Sequence, residues 1–222
     1  RDISKVKSYG VIDENIDKGI IKIARAIGVI GAVVPSTNPI ATPANNIINS
    51  LKCGNAIIIS PSPKGIAGCE RLIHFIHAEF EKCGINKDLV QMIPAPGTKI
   101  KTQQMLEETD LVIVTGSQNN VRRAYTSGTP AIGVGAGNVT VIIDETSNLK
   151  DAAVKIAASK TFDNATSCSS ENSLIIIDEI YDAFIKELSL VGCVTLEKSL
   201  QKKITERLWK KGQLNRNDVA KK

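Results

Sequence analysis

From Ala56 onward the chain alternates short β-branched runs with segments of helical period. Residues 56–60, Ala-Ile-Ile-Ile-Ser, are apolar without alternation and read as a strand buried on both faces. Pro61 and Pro63 punctuate a turn. Over 64–83, Cys69, Leu72, Ile73, Ile76 and Phe80 recur on one helical face, and Gly84 stops the helix. A strand over 89–93 follows, then a loop through Pro94, Pro96 and Gly97, then a short helix near 100–107. Residues 111–114 form the next strand, leaving through Thr115-Gly116-Ser117 into a helix that ends near Tyr125. Upstream, 28–34 is another buried strand, closed by Pro35-Ser36-Thr37-Asn38-Pro39. Residues 9–23 mix apolar and charged positions and read as a hairpin or an arm. Downstream, 133–138 reads as a flexible glycine loop. It leads into a strand over 139–143, a helix over 149–160 and a strand over 174–177.

This order predicts an α/β fold: a parallel sheet joined by right-handed helical crossovers, followed by a second α/β unit. The boundary falls at the glycine loop, giving 1–137 and 138–222. Ligands on such sheets bind beyond the carboxyl ends of the strands. Ser60, Pro96, Gly97, Thr115, Gly116 and Ser117 all fall on that edge.

Composition narrows the function. Aromatic residues are only 4% of the 222, so the core is built from Ile, Val, Leu and Ala, and stacking platforms for single-stranded nucleic acid are lacking. The net charge of +5 is uneven: residues 198–222 carry nine Lys/Arg and two Asp/Glu, a local +7. That stretch reads as a solvated helical face, with phosphate or nucleic-acid binding as the other reading. The five cysteines (53, 69, 83, 168 and 193) form no C-x-x-C pair, which excludes a zinc ribbon and points to a reduced, cytoplasmic setting. The longest apolar run, 27–35, is too short for a bilayer, so no membrane partner is expected. No secretory signal is expected. The absence of an initiator Met and the Lys-Lys end suggest a piece of a longer protein.

The candidate chemistry centres on Cys168, within Thr161-Phe162-Asp163-Asn164-Ala165-Thr166-Ser167-Cys168-Ser169-Ser170-Glu171-Asn172. Cysteine is more often a buried small hydrophobe. A thiol ringed by Ser, Thr and Asn between two packed elements also suits a reactive group, and the local context leaves both readings open. His74 and His77, with Glu70 and Glu81, have metal-compatible spacing but fall on the polar helix face, so no metal is expected. No histidine neighbours Cys168 in its loop, which weakens a Cys-His hydrolase. Gly133 to Gly137 leads into a strand rather than a helix and fails the dinucleotide fingerprint. Neither a phosphate-binding loop of the G-x-x-x-x-G-K type nor G-x-S-x-G occurs. Asn38 either makes an Asx turn before the next helix or offers an amide to a developing oxyanion.

Four stretches together carry a resemblance: 28–39, 55–61, 130–138 and 160–168. In order and spacing they resemble the aldehyde dehydrogenase superfamily, and within it the coenzyme-A-acylating branch. The segment around Cys168 is similar to that of acylating sulfoacetaldehyde dehydrogenases. The resemblance implies a Rossmann-type dinucleotide-binding domain over 1–137, with an oligomerisation arm near 9–24. The first part of a catalytic domain follows over 138–222, truncated relative to the family. It implies Cys168 as nucleophile, and Asn38 (Thr37 if the alignment is ungapped) as oxyanion donor beside the backbone N–H of Cys168. It places Ser60, Pro96, Gly97, Thr115, Gly116, Ser117, Gly135 and Gly137 along the cofactor cleft.

NAD or NADP would serve as cofactor, coenzyme A as co-substrate and a small aldehyde as substrate, with the full-length protein a homo-oligomer. Hydrolytic members carry a Glu at the position of Val134. Without that base, water attacks a thioester poorly, whereas a thiol needs less help. The residue therefore favours acyl transfer to coenzyme A over a hydrolytic dehydrogenase making a free acid. A catalytically incomplete piece that only binds dinucleotide or a partner chain is the remaining alternative.

Overall fold

A strand of Ile and Val with no polar face must be covered above and below, and the first half of the chain is organised around that need. The computed structural model describes residues 3–135, 137–165, 167–210 and 212–214. They separate into two units, Arg1–Ala136 and Gly137–Lys222.

The first unit opens with an antiparallel hairpin of β1 (Gly10–Asn15) and β2 (Ile20–Ala24), bulged between Val11 and Asp13. Ile16, Ile20, Ile21 and Ile23 on this hairpin are exposed. Then follow β3 (Val29–Val34), α1 (Ala41–Lys52), β4 (Ala56–Pro61), α2 (Ile66–Cys83), β5 (Val90–Met92), α3 (Lys99–Glu108), β6 (Leu111–Thr115), α4 (Gln118–Tyr125) and β7 (Ala131–Val134). Among the described residues, β3 to β7 form one parallel sheet in the order β5-β4-β3-β6-β7.

The period of two along each strand sorts the side chains to two faces. Ile30, Ala32 and Val34 of β3, with Ile57 and Ile59 of β4, pack on Ile47 of α1 and on Cys69, Ile73 and Phe80 of α2. Val33 of β3, with Val112 and Val114 of β6, packs on Met105 and Leu106 of α3 and on Val121 and Ala124 of α4. The sheet is thus doubly wound, and the helices change face between β3 and β6.

Two side chains set the entry to β3. Asn55, almost fully buried, accepts hydrogen bonds from the N–H of Ile27 (2.7 Å) and of Gly28 (3.1 Å). Asp110 accepts from the N–H of Val29 at 2.7 Å and occupies the space a Cβ on residue 28 would need. Gly28 has φ +135°, so glycine is required there on both counts. Asn55→Ala removes the acceptor of both bonds and should lower the unfolding free energy by about 2 kcal/mol. Urea titration of wild type and variant reads this, and an unchanged midpoint would contradict it.

Two readings from the sequence are corrected here. Gly133 and Val134 belong to β7 and pair with β6, rather than to a loop. A four-residue edge strand holding a glycine has too little pattern to announce itself; Ala136 of the same stretch lies outside the described residues. His77 is half-buried rather than solvated, and its Nε2 lies 2.8 Å from the carbonyl oxygen of Val90, tying α2 to β5.

In the second unit, β8 (Val139–Ile143) and β9 (Glu171–Ile176) pair in parallel, with α5 (Leu149–Thr161) as the crossover. α6 (Tyr181–Leu190) places Phe184 and Leu188 against Ile143 and Ala153. α7 (Lys198–Leu208) leads to a short antiparallel pair, β10 (Trp209–Lys210) and β11 (Gln213–Leu214). Lys198, Lys202, Lys203 and Arg207 are exposed on α7. The basic residues Lys211, Arg216, Lys221 and Lys222 lie outside the described residues.

Candidate functional site

Because β3 to β7 are parallel, every loop that follows one of them leaves from the same edge of the sheet. Along that edge stand Pro96 and Gly97 beyond β5, Ser60 at the end of β4, Asn38 beyond β3, Thr115, Gly116 and Ser117 at the end of β6, and Gly135 beyond β7. Asn38 and the Thr115–Ser117 turn flank the point where the helices change face, which is where such sheets open a crevice.

Asn38 is exposed, and its Oδ1 accepts from the N–H of Ala41 at 3.1 Å, satisfying one of the free donors in the first turn of α1. The two readings of this residue therefore use different atoms. The turn occupies the carbonyl oxygen, and the amide NH₂ stays available. Ser117 caps α4 by accepting from the N–H of Asn120 at 3.3 Å, and the N–H of Gly116 donates to the carbonyl of Val134 at 3.2 Å.

Ser60 is placed differently from its neighbours on the edge. It is 5% exposed, and its Oγ lies 2.9 Å from Oγ1 of Thr102 on α3, so its hydroxyl serves the seam between β4 and α3. The loop holding Pro96 and Gly97 is tied down by Lys101, whose Nζ donates to the carbonyls of Pro94 (3.3 Å) and Pro96 (3.2 Å).

A cavity of about 930 Å³ opens between α3 and α4, lined by Lys99, Gln103, Ser117, Asn120 and Arg123 among others. Arg123 fixes its width: Nη2 donates to the carbonyl of Lys99 (2.8 Å) and, with Nε, to Oε1 of Gln103 (2.9 and 3.1 Å). Sequence reading missed Lys99, Gln103 and Arg123. The signal that finds them is the polar i, i+4 stripe on each helix, which becomes meaningful only once the helices face one another.

Cys168 and Gly137 belong to the second unit, the other candidate residues to the first. Cys168 is exposed, on the segment between the end of α5 at Thr161 and the start of β9 at Glu171. Thr166 in that segment lies outside the described residues. Just before it the chain makes a left-handed turn: Asp163, Asn164 and Ala165 have φ of 47°, 54° and 58°. Asp and Asn accept this conformation readily; Ala does so at a cost of roughly 1–2 kcal/mol. After it, the N–H of Ser170 donates to the carbonyl of Ser167 (3.1 Å), and the hydroxyls of Ser167 and Ser169 lie 2.8 Å apart, so the thiol sits on a tight, polar turn. Gly137 precedes Asn138, whose Nδ2 donates to Oγ of Ser173 at 3.1 Å.

Comparison with known proteins gives this geometry a context. Residues 4–191 match the family model described as the aldehyde dehydrogenase family. The chain is 54% identical over 214 residues to a protein of Cupriavidus necator named sulfoacetaldehyde dehydrogenase (acylating), an alignment covering 96% of this chain and 43% of that protein. Among solved structures it resembles an acetylating aldehyde dehydrogenase from Geobacillus thermoglucosidasius, with a TM-score of 0.85 and 33% identity over 96% of this chain and 47% of that one. It also resembles a propionaldehyde dehydrogenase from Rhodopseudomonas palustris with bound CoA and an acylated cysteine, with a TM-score of 0.73 and 28% identity over 84% of this chain and 43% of that one. The chain therefore spans less than half the length of each of these three proteins.

Proposed function

This chain belongs to the aldehyde dehydrogenase family, and we propose that it supplies the nucleophile and the dinucleotide cleft of a coenzyme-A-acylating aldehyde dehydrogenase. The observation that carries this reading is an exposed thiol on a tight polar turn; an apolar residue, Val134, at the sequence position where the resemblance places the water-activating carboxylate of hydrolytic members, supports it. The Cys168 thiolate adds to the aldehyde carbonyl and gives a thiohemiacetal. The Asn38 amide and the backbone N–H of Cys168 stabilise the oxyanion. A nicotinamide nucleotide held at the sheet edge of the first unit would supply the hydride acceptor, and loss of hydride from the thiohemiacetal carbon leaves a thioester on Cys168. The thiol of coenzyme A then takes the acyl group and frees the thiolate. Val134 has no acceptor for a water proton, so the thioester survives until that second thiol arrives.

The doubly wound sheet and the cavity between α3 and α4, at the edge that carries Ser117, suit the nucleotide. The sequence likeness to a protein named for sulfoacetaldehyde supports a small, sulfonated aldehyde as substrate. The apolar side chains exposed on the β1–β2 hairpin support a role for it as the contact arm of a homo-oligomer. Five unpaired thiols are in keeping with a reducing compartment, and among the described residues no helix is long and apolar enough to cross a membrane.

The test is an aldehyde panel that includes a sulfonated member, assayed on the full-length protein with NAD⁺ and with NADP⁺, with and without coenzyme A. The expected result is acyl-CoA as product and reduced nucleotide that accumulates only when coenzyme A is present. Equal nucleotide reduction without coenzyme A, with free acid as product, would overturn the acylating reading.

A further inference from the structure

The segment that carries Cys168 is clasped at its base. Lys160, in the last turn of α5, donates from Nζ to Oδ1 of Asn172 in β9 at 3.2 Å. One residue earlier in each element, Ser159 and Glu171 meet. The Glu171 carboxylate is held below its ordinary value, first by its own backbone N–H, then by the Ser159 hydroxyl and by the Lys160 charge, with burial opposing. The last turn of α5 and the start of β9 are thus joined by the Lys160–Asn172 hydrogen bond, with Glu171 beside it, and the left-handed turn and the thiol lie on the chain between them.

Two further facts single out this base. Ser170 is 5% exposed and its Oγ has no hydrogen-bond partner among the described residues; the same is true of the buried Oε2 of Glu171. Buried polar atoms without partners are uncommon, because each costs roughly 1–3 kcal/mol. Here two occur in consecutive residues, two and three places after the thiol. A chain selected only for stability would have apolar residues there. The left-handed Asp163–Ala165 turn adds strain to the same short loop, and strain persists only where surrounding contacts hold it.

We propose that Glu171 and Lys160 are positioning residues that hold the Cys168 loop in the conformation from which the thiol attacks. They act through the loop and not on the substrate, and this rests on the function proposed above. An attacking atom displaced by about 1 Å loses on the order of 100-fold in rate while binding is little changed. The pair should therefore govern turnover and leave affinity for the aldehyde alone.

The experiment uses the full-length protein with the substituted variants Glu171→Gln, Lys160→Met and Lys160→Arg, measuring kcat and KM for acyl-CoA formation. Glu171→Gln and Lys160→Met should each lower kcat by about 10- to 100-fold with KM for the aldehyde within about two-fold, the pattern of an interaction that matters in the transition state. Lys160→Arg, which keeps the charge and the donors, should recover kcat to within about three-fold of wild type. Lys160 lies on the outer turn of a helix, so its variants keep the test meaningful if Glu171→Gln folds poorly. A rise in KM with kcat unchanged, or an arginine variant no better than the methionine one, would overturn the clasp. A wild type that forms no acyl-CoA overturns the functional reading itself. A wild type that does, beside variants with unchanged kcat, overturns the clasp alone.

Discussion

Replacing Cys168 by serine should lower acyl-CoA formation by the full-length protein by three or more orders of magnitude, on the scale of removing an enzyme's nucleophile. The neighbouring hydroxyls of Ser167, Ser169 and Ser170 do not rescue it, because an alcohol at neutral pH is a far weaker nucleophile than a thiol. Nucleotide binding, followed by calorimetry, should be unchanged, since the residues assigned to it other than Gly137 belong to the first unit. Chemical labelling gives an independent readout. Iodoacetamide followed by peptide mapping should modify Cys168 first, ahead of the other exposed thiols, Cys83 and Cys193. Cys69 should be last: it is fully buried, its Sγ donates to the carbonyl of Pro39 at 3.2 Å, and burial pushes its pKa up. A serine variant with wild-type turnover would remove Cys168 from the mechanism.

The second large effect is expected at Asn38, and a pair of substitutions separates its two roles. Asn38→Ala loses the acceptor for the Ala41 N–H and the amide donor together. It should cost about 1 kcal/mol of stability and about 100- to 1,000-fold in kcat. Asn38→Asp keeps an acceptor for that N–H and puts a negative charge at the start of α1, where the helix dipole favours it. Its stability should match or exceed wild type. Its turnover should fall at least as far as that of the alanine variant, because a carboxylate offers no donor and repels a developing oxyanion. Thermal unfolding and steady-state kinetics on both variants decide the matter. An aspartate variant that retained activity would leave Asn38 with its turn alone.

How much of this was legible in the chain depended on whether a feature is local. β4 and β6 announce themselves, because a run such as Ile57-Ile58-Ile59 suits little but a strand covered on both faces. α2 was equally plain, from its apolar stripe and from Gly84, which adopts φ +67° at its end. α1 was not assigned: Pro43, Asn45, Asn46 and Asn49 are poor helix residues, and the helix exists because Ile47 has a sheet to pack on. Cys168 could be set on a polar loop from its neighbours alone. The left-handed turn before it could not, since nothing in Ala165 foretells a positive φ. The edge positions of Ser60 and Ser117 followed from strand order. That Ser60 turns its hydroxyl to Thr102, 42 residues on, is a long-range contact with no local trace.

The Arg123 bonds to Gln103 and Lys99 carry a consequence for kinetics. With Ser60 and Thr102 fastening α3 to the sheet on its other side, α3 is anchored to both its neighbours before any ligand arrives. The space between α3 and α4 is preorganised, so the nucleotide proposed to enter it would lose its own freedom but would not have to order the protein. Association there should proceed in a single phase whose rate rises linearly with nucleotide concentration, without the plateau that a prior opening step would impose.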